Sequence, residues 1–375
     1  MTPCLLCGSP NPKPLYQPLG TKRGITVYLC KCGLLQSQPI GVKGDGIPST
    51  SADASYGNLR QGKISRAQPN LDFLRRNVLR FRPGKVLDVG ASRGAFVSSV
   101  LETWPDIEGV VAIEPYPELL PDEVTGHYKV EVVGLPIEEV SHFKVSFDLA
   151  YLSHTLEHLD TPPDTLKKLR VALSPNGWLL VEVPNIRGLM GILDIVEELY
   201  LDKHVTHFSL STLRKMLGVA GFRPLHFQAD QENVTVLAQL GKVIPIKDDY
   251  EAASIRPMLQ AYASDLVRNR ELLKGRVIRL NHTIRREGRP ALISGGGRIL
   301  SALVEAGLDV LLFDGIVDPW LPLDEVYGLP VLSKPSMIGY VKPKTVLVCS
   351  RSSGDAMAAE AVGWMPGVQV IRWWE

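Results

Sequence analysis

The chain has 375 residues, enough for two or three domains, each with its own core. Its 45% hydrophobic and 22% charged residues are an ordinary soluble globular composition, and 41 basic against 40 acidic residues leave no field to steer nucleic acid or an anionic membrane. No apolar run approaches the roughly 18 residues that span a bilayer, and "MTPCLLCGSP" has no basic-then-apolar leader, so a cytoplasmic protein without nucleic-acid or membrane partners is expected.

Residues 1–45 are rich in Pro, Gly and Cys and too short for a core without a staple. Four of the five cysteines, Cys4, Cys7, Cys30 and Cys32, fall here, and in a reducing cytoplasm two close pairs indicate metal before disulfide. Four thiolates close a tetrahedral zinc shell, and Gly8 and Gly33 allow tight turns around it. The first pair has C-x2-C spacing; the second is C-x-C, one residue short. With no open position the zinc is structural, and folding of 1–45 depends on it.

Residues 46–70 read as a connecting arm. Over 71–245, strand-like "KVLDVG", "GVVAIEP", "YKVEVVG", "FDLAYLS" and "GWLLVEVPN" alternate with helical "AFVSSVLETW", "PELLPDEV" and "DTLKKLRVAL", which predicts a parallel sheet covered on both faces. "SLSTLRKMLGVAGF" reads as a helix with Ser211 as N-cap and Gly221 as its stop. "FRPLHFQAD" and "ENVTVLAQL" read as an antiparallel pair ending the sheet. Residues 246–287 form a helical bridge, and 288–375 restart the α/β rhythm as a smaller unit, with strands at "ALISGGG", "LDVLLFD", "LPVLS", "KTVLVCS" and "VQVIRWW". Cys349 reads as a buried small hydrophobe.

The segment "KVLDVGASRGAF" raises the question of a nucleotide. A dinucleotide turn requires G-x-G-x-x-G, and from Gly90 those positions hold Gly90, Ser92 and Ala95, a poor match. Instead Asp88 stands two residues before Gly90, and Gly94 four after it. A carboxylate there repels a pyrophosphate but suits the ammonium of S-adenosylmethionine, and Glu114, ending the next strand, suits the two ribose hydroxyls.

"LDVGASRGAF", "IEP", "FDLAYLSHTLEHLDTP" and "LSPNGWLLVEVPN" resemble, in order and spacing, the motifs of class I S-adenosylmethionine-dependent methyltransferases over roughly residues 71–240. The resemblance implies that Asp88, Gly90, Ser92 and Gly94 line the methionine end and that Glu114 holds the ribose. It places Leu135, Pro136 and Ile137 beside the adenine, Ser153 with the cofactor residues, and His154 toward the methyl group. "DKHVTHFS" resembles the E-H-x-x-Y-F-S stretch of methyltransferases acting on nucleotide-linked deoxysugars, which makes His204 the general base. Here Lys203 stands in place of the glutamate, and His207 in place of the tyrosine. Tyr56 and Tyr200 are further pocket candidates; His158 reads as a packing or capping residue and His226 as structural.

The same group carries an N-terminal zinc knuckle and a C-terminal α/β domain. The resemblance therefore implies an α/β fold in three parts: zinc knuckle, central Rossmann-like methyltransferase sheet with an antiparallel end, and smaller C-terminal Rossmann-like domain. Two rival readings are a nicotinamide-dependent enzyme using "SGGGRIL", with Asp314 ending the next strand but Leu300 at the third glycine position, and a binding protein with a degenerate methyltransferase core.

Overall fold

The computed structural model describes residues 2–17, 24–38, 61–191, 204–245, 251–319, 321, 323–332, 338–339, 341–350, 354–364 and 367–374. The described chain divides into two compact units, one up to Tyr262 and one from Ala263. No described helix is long and apolar enough to cross a membrane.

The first unit opens with an antiparallel meander of β1 (Lys13–Tyr16), β2 (Thr26–Leu29) and β3 (Leu35–Gln38). Helix α1 (Gln61–Asn77) follows. It starts within the stretch read as an arm, and its buried Ala67, Leu71 and Leu74 recur at helical spacing. Then come β4 (Lys85–Val89), α2 (Ala95–Thr103), β5 (Gly109–Ile113), the single turn α3 (Asp122–Thr125), β6 (Val130–Val133) and β7 (Phe147–Ser153). The unit continues with α4 (Pro162–Ala172), β8 (Leu173–Pro184), β9 (Thr206–His207), α5 (Leu210–Val219), β10 (Phe222–Ala229) and β11 (Asn233–Leu240).

Seven of these strands form one sheet in the order β10-β11-β8-β7-β4-β5-β6. Strands β8, β7, β4, β5 and β6 are parallel, and β11 runs antiparallel to both β8 and β10. Central strands read as continuous apolar runs because both faces are covered: Val86, Leu87, Leu149, Leu152, Leu180 and Val181 are all fully buried. Strand order reverses between β4 and β7, so a crevice opens at their carboxyl ends.

Two expectations are corrected here. The N-cap of α5 is Ser209, not Ser211: the Ser209 hydroxyl accepts from the Thr212 amide, and the Thr212 hydroxyl accepts from the Ser209 amide. That reciprocal pair satisfies two amides at the helix start, whereas Ser211 already lies inside the helix. Gly221, at φ 83°, ends the helix as expected. The N-terminal segment, in turn, does not fold apart from the rest. Strand β9 pairs with β3 (Leu35 with His207, Gln36 with Thr206), and Cys4, Leu6, Cys30, Cys32 and Leu34 share one core with Phe208, Leu213 and Met216. Some 40 residues bury too little apolar surface to close a core alone.

Helix α6 (Glu251–Glu287) occupies the predicted bridge, and its residues from Ala263 belong to the second unit. That unit holds β12 (Ala291–Ser294), α7 (Arg298–Glu305), β13 (Gly315–Val317), β14 (Glu325–Val326), β15 (Leu329–Leu332), β16 (Thr345–Val348), α8 (Gly354–Trp364) and β17 (Gln369–Arg372). Its sheet order is β14-β15-β13-β12-β16-β17, parallel apart from β14, the doubly wound arrangement the sequence predicts. The strand expected at "LDVLLFD" instead lies just beyond that run, at Gly315–Val317. Val310–Leu312 form a single 3-10 turn, because the Asp309 carboxylate accepts from the Leu311 amide and caps it. Asp314 therefore precedes β13 rather than ending it, and binds the Arg289 guanidinium and the Ala291 amide. The acid after the strand is Asp318, which accepts from the Gly296 amide at 2.9 Å.

Candidate functional site

Strand β4 delivers Asp88 to the crevice and turns sharply at Gly90–Gly94. Gly90 (φ 78°) and Gly94 (φ 70°) adopt left-handed backbone. A Cβ at Gly90 would stand 2.4 Å from the Thr155 hydroxyl, so only glycine fits. Ser92 is also left-handed, at φ 52°, and its amide donates to Glu114 Oε2 at 2.7 Å. Glu114 follows β5 and takes a second amide, from Tyr116, at 3.1 Å. Asp88 and Glu114, 2% and 5% exposed, thus sit at the tips of neighbouring strands with the glycine turn between them. Ile137 lies in the apolar core, while Leu135 is exposed.

Beyond β7 the chain makes a second tight turn. His154 is left-handed at φ 48°, and Thr155 donates to the Val89 carbonyl at 3.1 Å, which locks this turn against the glycine turn. The Ser153 hydroxyl points to Glu182 Oε1 at 2.8 Å. Burial pushes the Glu182 carboxyl up from its ordinary pKa, an effect opposed by Ser153 and by Arg66, whose Nε stands 3.3 Å away.

Glu157, 1% exposed, is the hub of the next cluster. Its Oε1 lies 3.6 Å from His158 Nε2, 3.7 Å from His154 Nδ1 and 3.9 Å from His204 Nε2. The Val205 amide donates to the Glu157 carbonyl at 2.7 Å, and this bond brings the 204–207 segment alongside. The His158 and His204 rings are 4.7 Å apart, edge to face, and His204 and His207 are 6.1 Å apart. On β9, His207 turns inward and places Nε2 2.9 Å from the Ser37 hydroxyl. Burial lowers its pKa to about 4, so the ring is neutral near pH 7.

His154 and His204 thus both face Glu157, and His207 lies beside His204. The sequence reading set His158 aside and did not consider Glu157. The signal for both was present in "SHTLEH", where a glutamate follows one histidine by three residues and adjoins another. His226, on β10, has its ring 6.2 Å from that of Trp178. Tyr56, Tyr200 and Lys203 lie outside the described residues.

The four N-terminal cysteines also converge. Cys4 and Cys32 Sγ are 3.6 Å apart, Cys7 and Cys30 Sγ 3.4 Å, and all four sulfurs lie within 4.8 Å of one another. The left-handed Gly8 and Gly33 close the two turns by donating to the Cys4 and Cys30 carbonyls. The C-x-C pair therefore reaches the same point as the C-x2-C pair. Sulfurs bonded to zinc at about 2.3 Å stand about 3.8 Å apart in a tetrahedron, and the observed spacings fit that shell. Hydrogen bonding from Cys32 draws the Cys4 thiol down to about 5, while burial pushes Cys30 up to about 11.

A parallel sheet closed by an antiparallel strand, with acids at two adjacent strand tips and a glycine turn between, is the architecture of class I methyltransferases. Residues 61–226 match the family model described as a methyltransferase domain, so the chain carries a class I S-adenosylmethionine-dependent methyltransferase domain. Among curated proteins it is 29% identical over 147 residues to a tRNA U34 carboxymethyltransferase of Desulfotalea psychrophila, covering 37% of this chain and 45% of that one. It is 30% identical over 115 residues to a malonyl-[acyl-carrier protein] O-methyltransferase of Halalkalibacterium halodurans, covering 29% and 42%. The chain thus spans a little under half of the curated relatives it matches. A solved structure, the 1,6-didemethyltoxoflavin-N1-methyltransferase of Burkholderia thailandensis, aligns with TM-score 0.42 at 17% identity, over 60% of this chain and 100% of that one.

Proposed function

We propose that the chain transfers the methyl group of S-adenosylmethionine to a carbon or oxygen of a nucleotide-linked sugar. The observation that carries this reading is the junction at Thr155, where the Asp88–Glu114 crevice meets the His154–Glu157–His158–His204 cluster. Asp88 receives the ammonium of the cofactor, and Glu114 exchanges its two amide partners for the ribose hydroxyls. The Gly90 and Gly94 backbone lets the methionine end approach closely. The sulfonium already activates the methyl, so the protein's task is alignment and removal of one proton. His204 takes that proton, with His154 nearest the methyl position and His207 as a neutral neighbour. The sugar comes from the likeness of "DKHVTHFS" to deoxysugar methyltransferases. Cys4, Cys7, Cys30 and Cys32 hold a structural zinc.

A nucleic-acid acceptor is the second reading, favoured by one feature. A cavity of about 730 Å³ opens at the amino ends of the strands, lined by Arg75, Arg76, Arg80 and Arg82 with Phe81 and Trp104. Guanidinium groups beside aromatic rings suit phosphates and bases.

The test is calorimetry with S-adenosylhomocysteine and NADH, followed by transfer of labelled methyl to nucleotide-linked sugars and to unmodified tRNA. Heat with the first ligand alone and label on a sugar support the proposal. Label on tRNA alone replaces the acceptor, and heat with NADH alone overturns the methyl-transfer reading. Binding without turnover of any acceptor would mark a degenerate, non-catalytic core.

A further inference from the structure

We propose that Glu157, His158 and His204 form a second metal site, for a divalent ion of the zinc, cobalt or nickel kind, distinct from the cysteine cluster. Their ligand atoms lie within 4.8 Å of one another, and the carboxylate at the centre is 1% exposed. The 3.6 and 3.9 Å separations from Glu157 Oε1 to the two imidazole nitrogens are too long for hydrogen bonds. They exceed by a few tenths of an ångström the edge of about 3.4 Å that a tetrahedron of 2.0–2.1 Å bonds imposes, and the third edge is within 4.8 Å. Imidazole with a single carboxylate favours borderline transition ions over magnesium or calcium, which take oxygen shells.

His154 stands beside this triad rather than within it. Its Nε2 lies 2.7 Å from Asn233 Oδ1, so the Nε2–H tautomer donates to that amide oxygen. The Nδ1 lone pair is then the group facing Glu157 Oε1, 3.7 Å away. The backbone supports the same arrangement. The left-handed His154 and the Val205-to-Glu157 hydrogen bond bring together side chains that lie about 50 positions apart in the chain.

This site does not depend on the methyl-transfer reading, but it bears on it. A metal on His204 Nε2 occupies a lone pair that would otherwise receive a proton, so a loaded cluster is a blocked base.

Equilibrium dialysis of Co²⁺ into the metal-stripped full chain, with absorption spectra, tests the inference. Two ions per chain are expected. One shows thiolate-to-cobalt charge transfer, and the other shows ligand-field bands alone. His158→Ala and Glu157→Gln should each lose the second ion and keep the first, with circular dichroism reporting whether the variant is folded. A single thiolate-coloured ion in the wild type overturns the proposal whatever the variants do, as does a second ion that persists in both. S-adenosylhomocysteine heats on the same samples report the methyltransferase reading separately.

Discussion

His207 Nε2 and Ser37 Oγ meet at 2.9 Å across 170 positions of sequence, where β3 pairs with β9. Burial holds this imidazole neutral, with its pKa lowered from 6.5 to about 4. The folded state then binds fewer protons than the unfolded chain between those values, so stability is fully present above 6.5 and is lost as pH falls toward 4. Urea unfolding should show a loss of about 2 kcal/mol between pH 7.5 and 5 from this residue. His207→Gln should flatten that slope; an unchanged slope would mean the ring is charged or exposed.

Gly90→Ala should destabilise the domain by about 1–3 kcal/mol, from a left-handed backbone and a methyl driven against Thr155. Thermal unfolding measures this. Adding Thr155→Ser, which removes only the methyl of Thr155, should leave most of the loss in place, because the hydroxyl makes the closest approach.

Ser209→Ala removes the side-chain half of the capping box and a 2.5 Å hydrogen bond to Glu251 Oε1, and should cost about 1–2 kcal/mol. Ser211→Ala spares the cap and should cost less. Equal losses in denaturant titrations would remove the distinction drawn between the two serines.

Asp88→Asn and Glu114→Gln should each weaken S-adenosylhomocysteine about tenfold or more, as loss of a hydrogen bond to a charged partner does. Glu114→Gln should also lower the melting temperature, since a glutamine oxygen can accept from only one of the Ser92 and Tyr116 sides. Affinity by calorimetry, read beside melting temperature, separates the two effects.

If the four cysteines hold the proposed zinc, Cys30→Ser should lose the thiolate-bound ion and expose residues 2–38 to protease. Cobalt spectra and limited proteolysis check this; thiolate-to-cobalt charge transfer retained in the variant would show that a three-sulfur shell suffices.

The parallel methyltransferase sheet was legible, though not its strand order, because its strands are local, apolar and separated by glycine or acid, as at Asp88–Gly90 and Ile113–Glu114. The antiparallel end at β10 and β11 followed from two strand patterns close in sequence. What escaped was set by contacts between distant segments. Nothing in "VTHFS" announces a strand, because β9 is only two residues long and pairs with β3. Glu157 gains its role as a hub only because the 204–207 segment folds alongside it. Ser209 outranks Ser211 as a cap only once Thr212 is seen to reciprocate. In the second unit, "LDVLLFD" carries strand composition, but Asp309 folds it into a turn and moves the strand to Gly315. The short C-x-C spacing obscured a convergence that two left-handed glycines make possible.

The β3–β9 ladder makes the sulfur cluster a foundation for chemistry it never touches. Thr206 and His207 pair with no described strand other than β3, and β3 begins three residues beyond Cys32. On the proposed reading, a cell short of the ion would accumulate chains that still grip the methyl donor yet have no aligned residue to deprotonate the acceptor. Starvation would register as a fall in turnover at unchanged donor affinity.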